Sequence, residues 1–260
     1  MQISEAVDAF RHDGLITADL LAAIEAGGDV RVLRRLDVRE GRTGVGGTVG
    51  TAVGVALDCE TTGTSDQDEI IELALRRFRF DPDGVIVKID KPYSWLRDPG
   101  RPLDAEIVRL TGITDADVAG KVVDDDAVRR LLGSADFVCA HNARFDRGMV
   151  ERHLSRERDD GGDAERDAIY AWACSCNDVD WRARGFDGRS LGWLLAQVGW
   201  FHGAHRAQDD VDAVIELLRH QYPTGGTVLR DMLDTARAPR RSSAALGPSS
   251  SMMPRRPAVS

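Results

Sequence analysis

The segment Val53-Gly-Val-Ala-Leu-Asp58-Cys-Glu60-Thr-Thr-Gly63 sets two acids into the end of an otherwise apolar run. Such a run reads as a buried strand, and period-two alternation puts Asp58 and Glu60 on one face and Cys59 on the other. Two like charges side by side on a buried strand repel each other and resist desolvation, so a compensating cation is expected, and a divalent metal supplies one. A solvated strand end is the bland alternative for any isolated Asp-x-Glu.

The flanking sequence says what kind of sheet holds this strand. Ala52 to Cys59, Ile70 to Phe80 and Val85 to Leu96 read as three strands, the last two separated by the turn signal Asp81-Pro-Asp-Gly84. A short helix ending at Gly112, a helix near Val122 to Leu132 and a short strand from Asp136 to Ala140 follow. Helices are expected at about 143 to 157, 190 to 199, 207 to 220 and 228 to 236, with an acidic loop at Asp159 to Asp163. Strands first, then strands alternating with helices, predict an α/β fold with a mixed sheet flanked by helices.

Upstream, residues 4 to 26 read as two short helices and Val30 to Leu36 as a strand, while Gly41 to Gly54 carries six glycines and reads as a linker or open hairpin. No Gly-Lys-Ser or Gly-Lys-Thr follows it, which argues against a phosphate-binding loop. The expected organisation is an N-terminal helical segment and linker over 1 to 50, a principal domain over 51 to 222, and a short helix with a disordered Ser-, Pro- and Arg-rich tail over 223 to 260.

Two further segments carry isolated acids. In His141-Asn-Ala-Arg-Phe-Asp146 a strand gives way to a helix on which Asp146, Met149, Val150 and Leu154 share one face, turning Asp146 towards the core. The dipole of a helix N-terminus offers partial relief for such a carboxylate. In His205-Arg-Ala-Gln-Asp209-Asp210 the helix stripe Val211, Val214, Ile215 and Leu218 includes or borders Asp210, whereas Asp209 groups with Asp212 and Glu216 on the solvated side. His205 precedes the helix and is placed in the loop above the site.

In this order the three segments resemble the three exonuclease motifs of the DEDD superfamily, in its histidine-containing branch, which includes the epsilon proofreading subunit of bacterial DNA polymerase III and ribonuclease T. Asp58 and Glu60 match the acids of the first motif, Asp146 that of the second, and His205 with Asp210 the His-x-x-x-x-Asp of the third. The resemblance covers about residues 52 to 222 and implies a ribonuclease H-like fold with a five-stranded mixed sheet. It further implies a metal-dependent 3′–5′ exonuclease that releases nucleoside 5′-monophosphates. The four carboxylates would hold two divalent ions, Mg²⁺ or Mn²⁺, roughly 4 Å apart, with His205 as general base. Thr61, Thr62, Gly63, Leu110, Thr111, Asn142 and Phe145 match positions around the terminal nucleotide.

Between Trp181 and Arg206 four arginines (Arg182, Arg184, Arg189, Arg206) face one acid, Asp187, and alternate with aromatic residues. This mixture suits a single nucleic-acid strand. Arg182 and Arg184 are the expected phosphate contacts, while Trp193 and Trp200 are read as packing residues beside the stripe Leu191, Leu194, Leu195 and Val198.

The formal charge of −9 excludes a histone-like binder that works through bulk electrostatics. Four cysteines without a C-x-x-C pair read as reduced, buried thiols. No apolar run approaches the roughly 18 residues that span a bilayer, and no basic segment leads into an apolar stretch at the start, so no membrane role and a cytoplasmic location are expected. DNA 3′ ends are the first expected substrate; an RNA-trimming exoribonuclease and a non-catalytic nucleic-acid-binding module are the alternatives. No polymerase-binding segment is recognisable in the tail.

Overall fold

The computed structural model describes residues 22–24, 26–28, 30–47, 51–156 and 170–237. Its main sheet contains β2 (Gly41–Arg42), β3 (Ala52–Thr61), β4 (Ile70–Phe80), β5 (Ile86–Leu96), β6 (Phe137–Ala140) and β7 (Trp172–Cys174), in the order β2-β5-β4-β3-β6-β7. β3, β4 and β5 form an antiparallel meander, and β6 and β7 add in parallel, so the sheet is mixed. The expected five strands are the long ones with β6 and β7; the two-residue β2 extends the edge along β5. The turn joining β4 to β5 closes on Asp81, whose Oδ1 accepts from the Asp83 and Val85 amides at 3.0 Å.

Alternation along β3 and β4 divides the core. Ala56, Ala74, Phe78 and Phe80 face α5 (Leu191–Gln197), α6 (Ala207–Arg219) and α7 (Val228–Arg237), whereas Val55, Leu57, Leu73 and Leu75 face α3 (Asp125–Gly133) and α4 (Ala143–Arg156). Asp58 and Glu60 follow the register of Ala56 and project to the α6 side. Leu103, Ile113 and Val118, around α1 (Ala105–Thr111) and α2 (Asp115–Val118), cover Ile71 in a smaller cluster.

Several boundaries differ from expectation for local reasons. The helix expected from Val122 begins at Asp125 because the Asp124 side chain caps it, accepting from the Ala127 amide at 2.8 Å. Gly54 belongs to β3, not to the linker, and a Cβ there would stand 2.4 Å from the Phe78 ring. The expected strand over Val30 to Leu36 shrinks to β1 (Arg34–Arg35), the residues in register with β8 (Trp200–Phe201) in a separate parallel pair. The short α2, β7 and β8 carry too few residues for a periodic signal. Of the expected N-terminal helices only residues 22–24 and 26, which are helical, are described, and the acidic loop and the tail from 238 lie outside the described residues.

One buried cation ties the N-terminal segment to the sheet. Arg76, 2% exposed, donates to the Val38 carbonyl at 2.9 Å, to the Asp90 carbonyl at 2.9 Å and to Asp212 of α6 at 2.6 Å.

Candidate active site

The C-terminal half of β3 and the first turn of α6 converge. One carboxylate oxygen from each of Asp58, Glu60 and Asp210 lies within 4.8 Å of the other two. Asp146, in the first turn of α4 and 2% exposed, adjoins them, but its Oδ1 faces β3, accepting from the Cys59 amide at 3.2 Å and lying 3.4 Å from the Cys59 Sγ.

Electrostatics shows the tension in this arrangement. Burial first, then the neighbouring Asp146, Asp210, Glu60 and Glu72, hold the Asp58 carboxyl well above the usual carboxylate range. Glu60 is pushed up to about 7 by burial and by Asp210, Glu72 and Asp146, with Arg206 opposing. Burial also raises Asp146, against the hydrogen bonds from Cys59. Among the described residues no arginine or lysine pairs with Asp58, Glu60 or Asp210. An all-oxygen donor set under mutual repulsion fits a hard divalent cation such as Mg²⁺ or Mn²⁺.

Two histidines frame Asp210. His205 lies in the loop before α6 with its backbone in the left-handed region (φ 66°), and its amide donates to Asp210 Oδ2 at 3.0 Å while its side chain is exposed. His202 was not anticipated: its ring is 5% exposed and Nε2 lies 2.7 Å from Asp210 Oδ1. Glu72 was also missed. It is the cross-strand partner of Glu60, and it accepts from the Arg206 side chain at 3.0 and 3.3 Å, from the Ala207 amide at 3.1 Å and from Ser94 at 3.1 Å. An acid inside the apolar run Ile70-Ile-Glu72-Leu was the available signal, the same one that marks Asp58.

Residues 55–218, from the middle of β3 to the end of α6, match the exonuclease family (RNase_T). The chain belongs to this DEDD-type exonuclease family. The chain is 43% identical over 97 residues to a PolC-type DNA polymerase III of Listeria monocytogenes, a match covering 36% of this chain and 6% of that protein. It is 30% identical over 117 residues to ribonuclease T of Shewanella oneidensis, covering 39% of this chain and 52% of that enzyme. The chain thus spans a small part of the polymerase and about half of the ribonuclease. Among solved structures, Escherichia coli exonuclease I in a zinc-bound complex with single-stranded DNA shares the fold, with a TM-score of 0.51 and 21% identity over 65% of this chain and 40% of that one. No helix among the described residues is long and apolar enough to cross a membrane.

In this chain the first-motif loop is tightly built. Thr61 and Thr62 are buried; the Thr61 hydroxyl donates to the Gly63 carbonyl at 2.6 Å and that of Thr62 to Asp68 at 2.9 Å, with Arg101 donating to Thr62 at 2.8 Å. Gly63 is needed because a Cβ there would stand 2.6 Å from the Asp68 carboxylate. Leu110, at the end of α1, is exposed. Thr111 is not: its hydroxyl donates to the Ile107 carbonyl and accepts from the Ile113 amide, so it closes the helix. Asn142 is exposed with a left-handed backbone (φ 73°), its carbonyl accepting from the Phe145 amide at 2.9 Å, and Phe145 is half-buried. His141 beside it is held by Ser175 at 3.0 Å and by the Arg189 carbonyl at 2.8 Å.

The arginines diverge. Arg182 is exposed, but Arg184 is paired with Asp231 of α7 and lies over the Tyr222 ring, 4.6 Å from its centroid, which commits it to holding α7. The tryptophans diverge as well. Trp200 packs against the core with Leu191 and Val198 as expected, whereas Trp193, expected to pack, is 50% exposed.

Proposed function

We propose that the protein is a metal-dependent 3′–5′ exonuclease of the histidine-containing type that removes nucleoside 5′-monophosphates from DNA 3′ ends, single-stranded or frayed. The convergence of Asp58, Glu60 and Asp210 within 4.8 Å carries this reading. With Asp146 beside them, these carboxylates would hold two divalent ions, Mg²⁺ or Mn²⁺. Bound there, such ions supply water activation and charge neutralisation at the scissile phosphate.

The chain's own groups have distinct tasks. His205 takes the proton of the attacking water at its imidazole; in support, its amide is anchored on Asp210 and its ring is open to solvent. The Thr61–Gly63 backbone borders the terminal nucleotide, Leu110 presses on its base, and Asn142, Phe145 and Arg182 line the approach. Thr111 and Arg184 contribute through α1 and α7 rather than by contact, given the partners that hold them.

A second reading, trimming of RNA 3′ ends, is favoured by the likeness to ribonuclease T. A 5′-labelled DNA strand and an RNA of the same sequence, incubated with Mg²⁺, Mn²⁺ or chelator, separate the two. The expected result is a ladder shortening from the 3′ end of the DNA, abolished by chelator and by Asp210→Ala. Intact strands under every metal condition would overturn the catalytic reading in favour of a binding module.

A further inference from the structure

A chain of net charge −9 repels a polyphosphate, so whatever holds a nucleic-acid strand must be local. Arg31, Arg34 and Arg35 lie in residues 30 to 36, a stretch without acids and outside the exonuclease match, and all three are exposed. Among the described residues none of them pairs with a carboxylate.

β1 is fixed beside the catalytic loop. The Arg34 amide donates to the Gly199 carbonyl at 2.9 Å and the Leu36 amide to the Phe201 carbonyl at 2.8 Å. Arg35 is in register with Phe201, which puts both on one face of the pair, and Phe201 is 47% exposed. Arg31 reaches the Ala196 carbonyl of α5 at 3.5 Å. Gly192, Trp193 and Ala196 share a side of α5. A Cβ on Gly192 would stand 3.8 Å from the ring of His202, the residue that touches Asp210. A cleft lined by Arg35, Leu36, His202, Gly203, Asp209 and Asp212 runs between β1 and α6. Arg35 therefore lines a cleft that reaches His202, with half-exposed Phe201 on the same face of the strand pair and Arg31 anchored on the helix that carries Trp193, while Arg34 is turned to the opposite face.

We infer that this surface is a track for single-stranded nucleic acid, on which bases upstream of the 3′ end stack on Trp193 and Phe201 while Arg31 and Arg35 hold their phosphates. Unpaired bases offer a π-face to each ring, and arginines follow the backbone without regard to sequence. The inference rests on the reading that the carboxylates receive the 3′ end. Its distinct content is that a segment outside the family domain supplies substrate affinity.

The test uses the full chain and a labelled oligothymidylate of about 16 nucleotides, followed by fluorescence anisotropy in chelator at several salt concentrations. Combined Arg31→Ser and Arg35→Ser substitutions are expected to weaken binding about tenfold and to reduce the slope of log affinity against log salt by about 1. Combined Trp193→Ala and Phe201→Ala substitutions are expected to weaken binding about tenfold with the slope preserved. With Mg²⁺, hydrolysis of the p-nitrophenyl ester of thymidine 5′-monophosphate, too small to reach the track, stays at the wild-type rate in both variants. Wild-type affinity and slope in both folded variants would overturn the inference, as would loss of self-association in place of oligonucleotide binding, which would assign the surface to a second copy of the chain. A wild-type protein that binds the oligonucleotide through these residues yet hydrolyses neither substrate would sink the exonuclease reading and leave the track standing.

Discussion

Glu60 and Glu72 are direct partners across β3 and β4, yet their surroundings are opposite. Glu72 is enclosed by the Arg206 guanidinium, the Ala207 amide and Ser94. Glu60 meets Asp58 and Asp210, other carboxylates. One acid has its charge answered by the protein and fastens the start of α6; the other waits for an answer from outside. Burial alone does not separate a structural acid from a functional one, whereas the identity of the nearest charge does.

Exchange of either glutamate for its amide is the sharpest way to break this comparison. Glu60→Gln is expected to reduce nuclease turnover by about a thousandfold or more while leaving the melting temperature in chelator unchanged or raised, because a repulsion is removed. Glu72→Gln is expected to lower stability by about 2 kcal/mol, since it leaves α6 poorly anchored, with a smaller loss of activity. Denaturant unfolding and a single-turnover assay on both variants check the pair; similar profiles would erase the distinction.

The next largest effect is thermal. Mg²⁺ or Mn²⁺ is expected to raise the melting temperature of the wild type by several degrees at pH 8 and to leave Asp58→Asn with Asp210→Asn unmoved, as followed by calorimetry.

His202 provides a finer test. It touches Asp210 from within the protein, so His202→Ala is expected to weaken metal affinity about tenfold with little change in fold, measured by titration with Mn²⁺. His202→Gln, which keeps a donor, is expected to restore part of it.

The smallest effect is a pH trend. The Glu60 carboxyl titrates at about 7 in the folded chain, above its ordinary 4.5, so the folded state retains the proton longer than the unfolded one. Its contribution to stability in chelator is therefore present below pH 4.5 and lost as pH rises through 7. The slope of melting temperature against pH across this window is expected to flatten in Glu60→Gln.

The sequence was most readable where the signal is local. Acids set at period two in an apolar strand, or on the apolar stripe of a helix, announce themselves, and with them the mixed sheet and its α6 face. Glu72 gives the same signal but belongs to no recognisable motif. Arg184 could not be read, since its partner Asp231 lies 47 residues away. Trp193 failed for a geometric reason: α5 buries Leu194 and Leu195, and this short helix leaves Trp193 outside the face they define. His202 and β8 depend on a loop whose path is set by β1, a contact between distant segments with no periodic trace.

Arg76 bears on where this chain can be cut. The family match starts at residue 55, but the guanidinium of Arg76 draws one of its three acceptors from Val38 and another from Asp212, two residues beyond Asp210. A recombinant fragment trimmed to the family's limits would keep Asp90 and Asp212 but remove the Val38 acceptor from this buried charge, next to the helix that carries a proposed metal ligand. The smallest piece expected to work as an enzyme is therefore longer than the piece its relatives have in common.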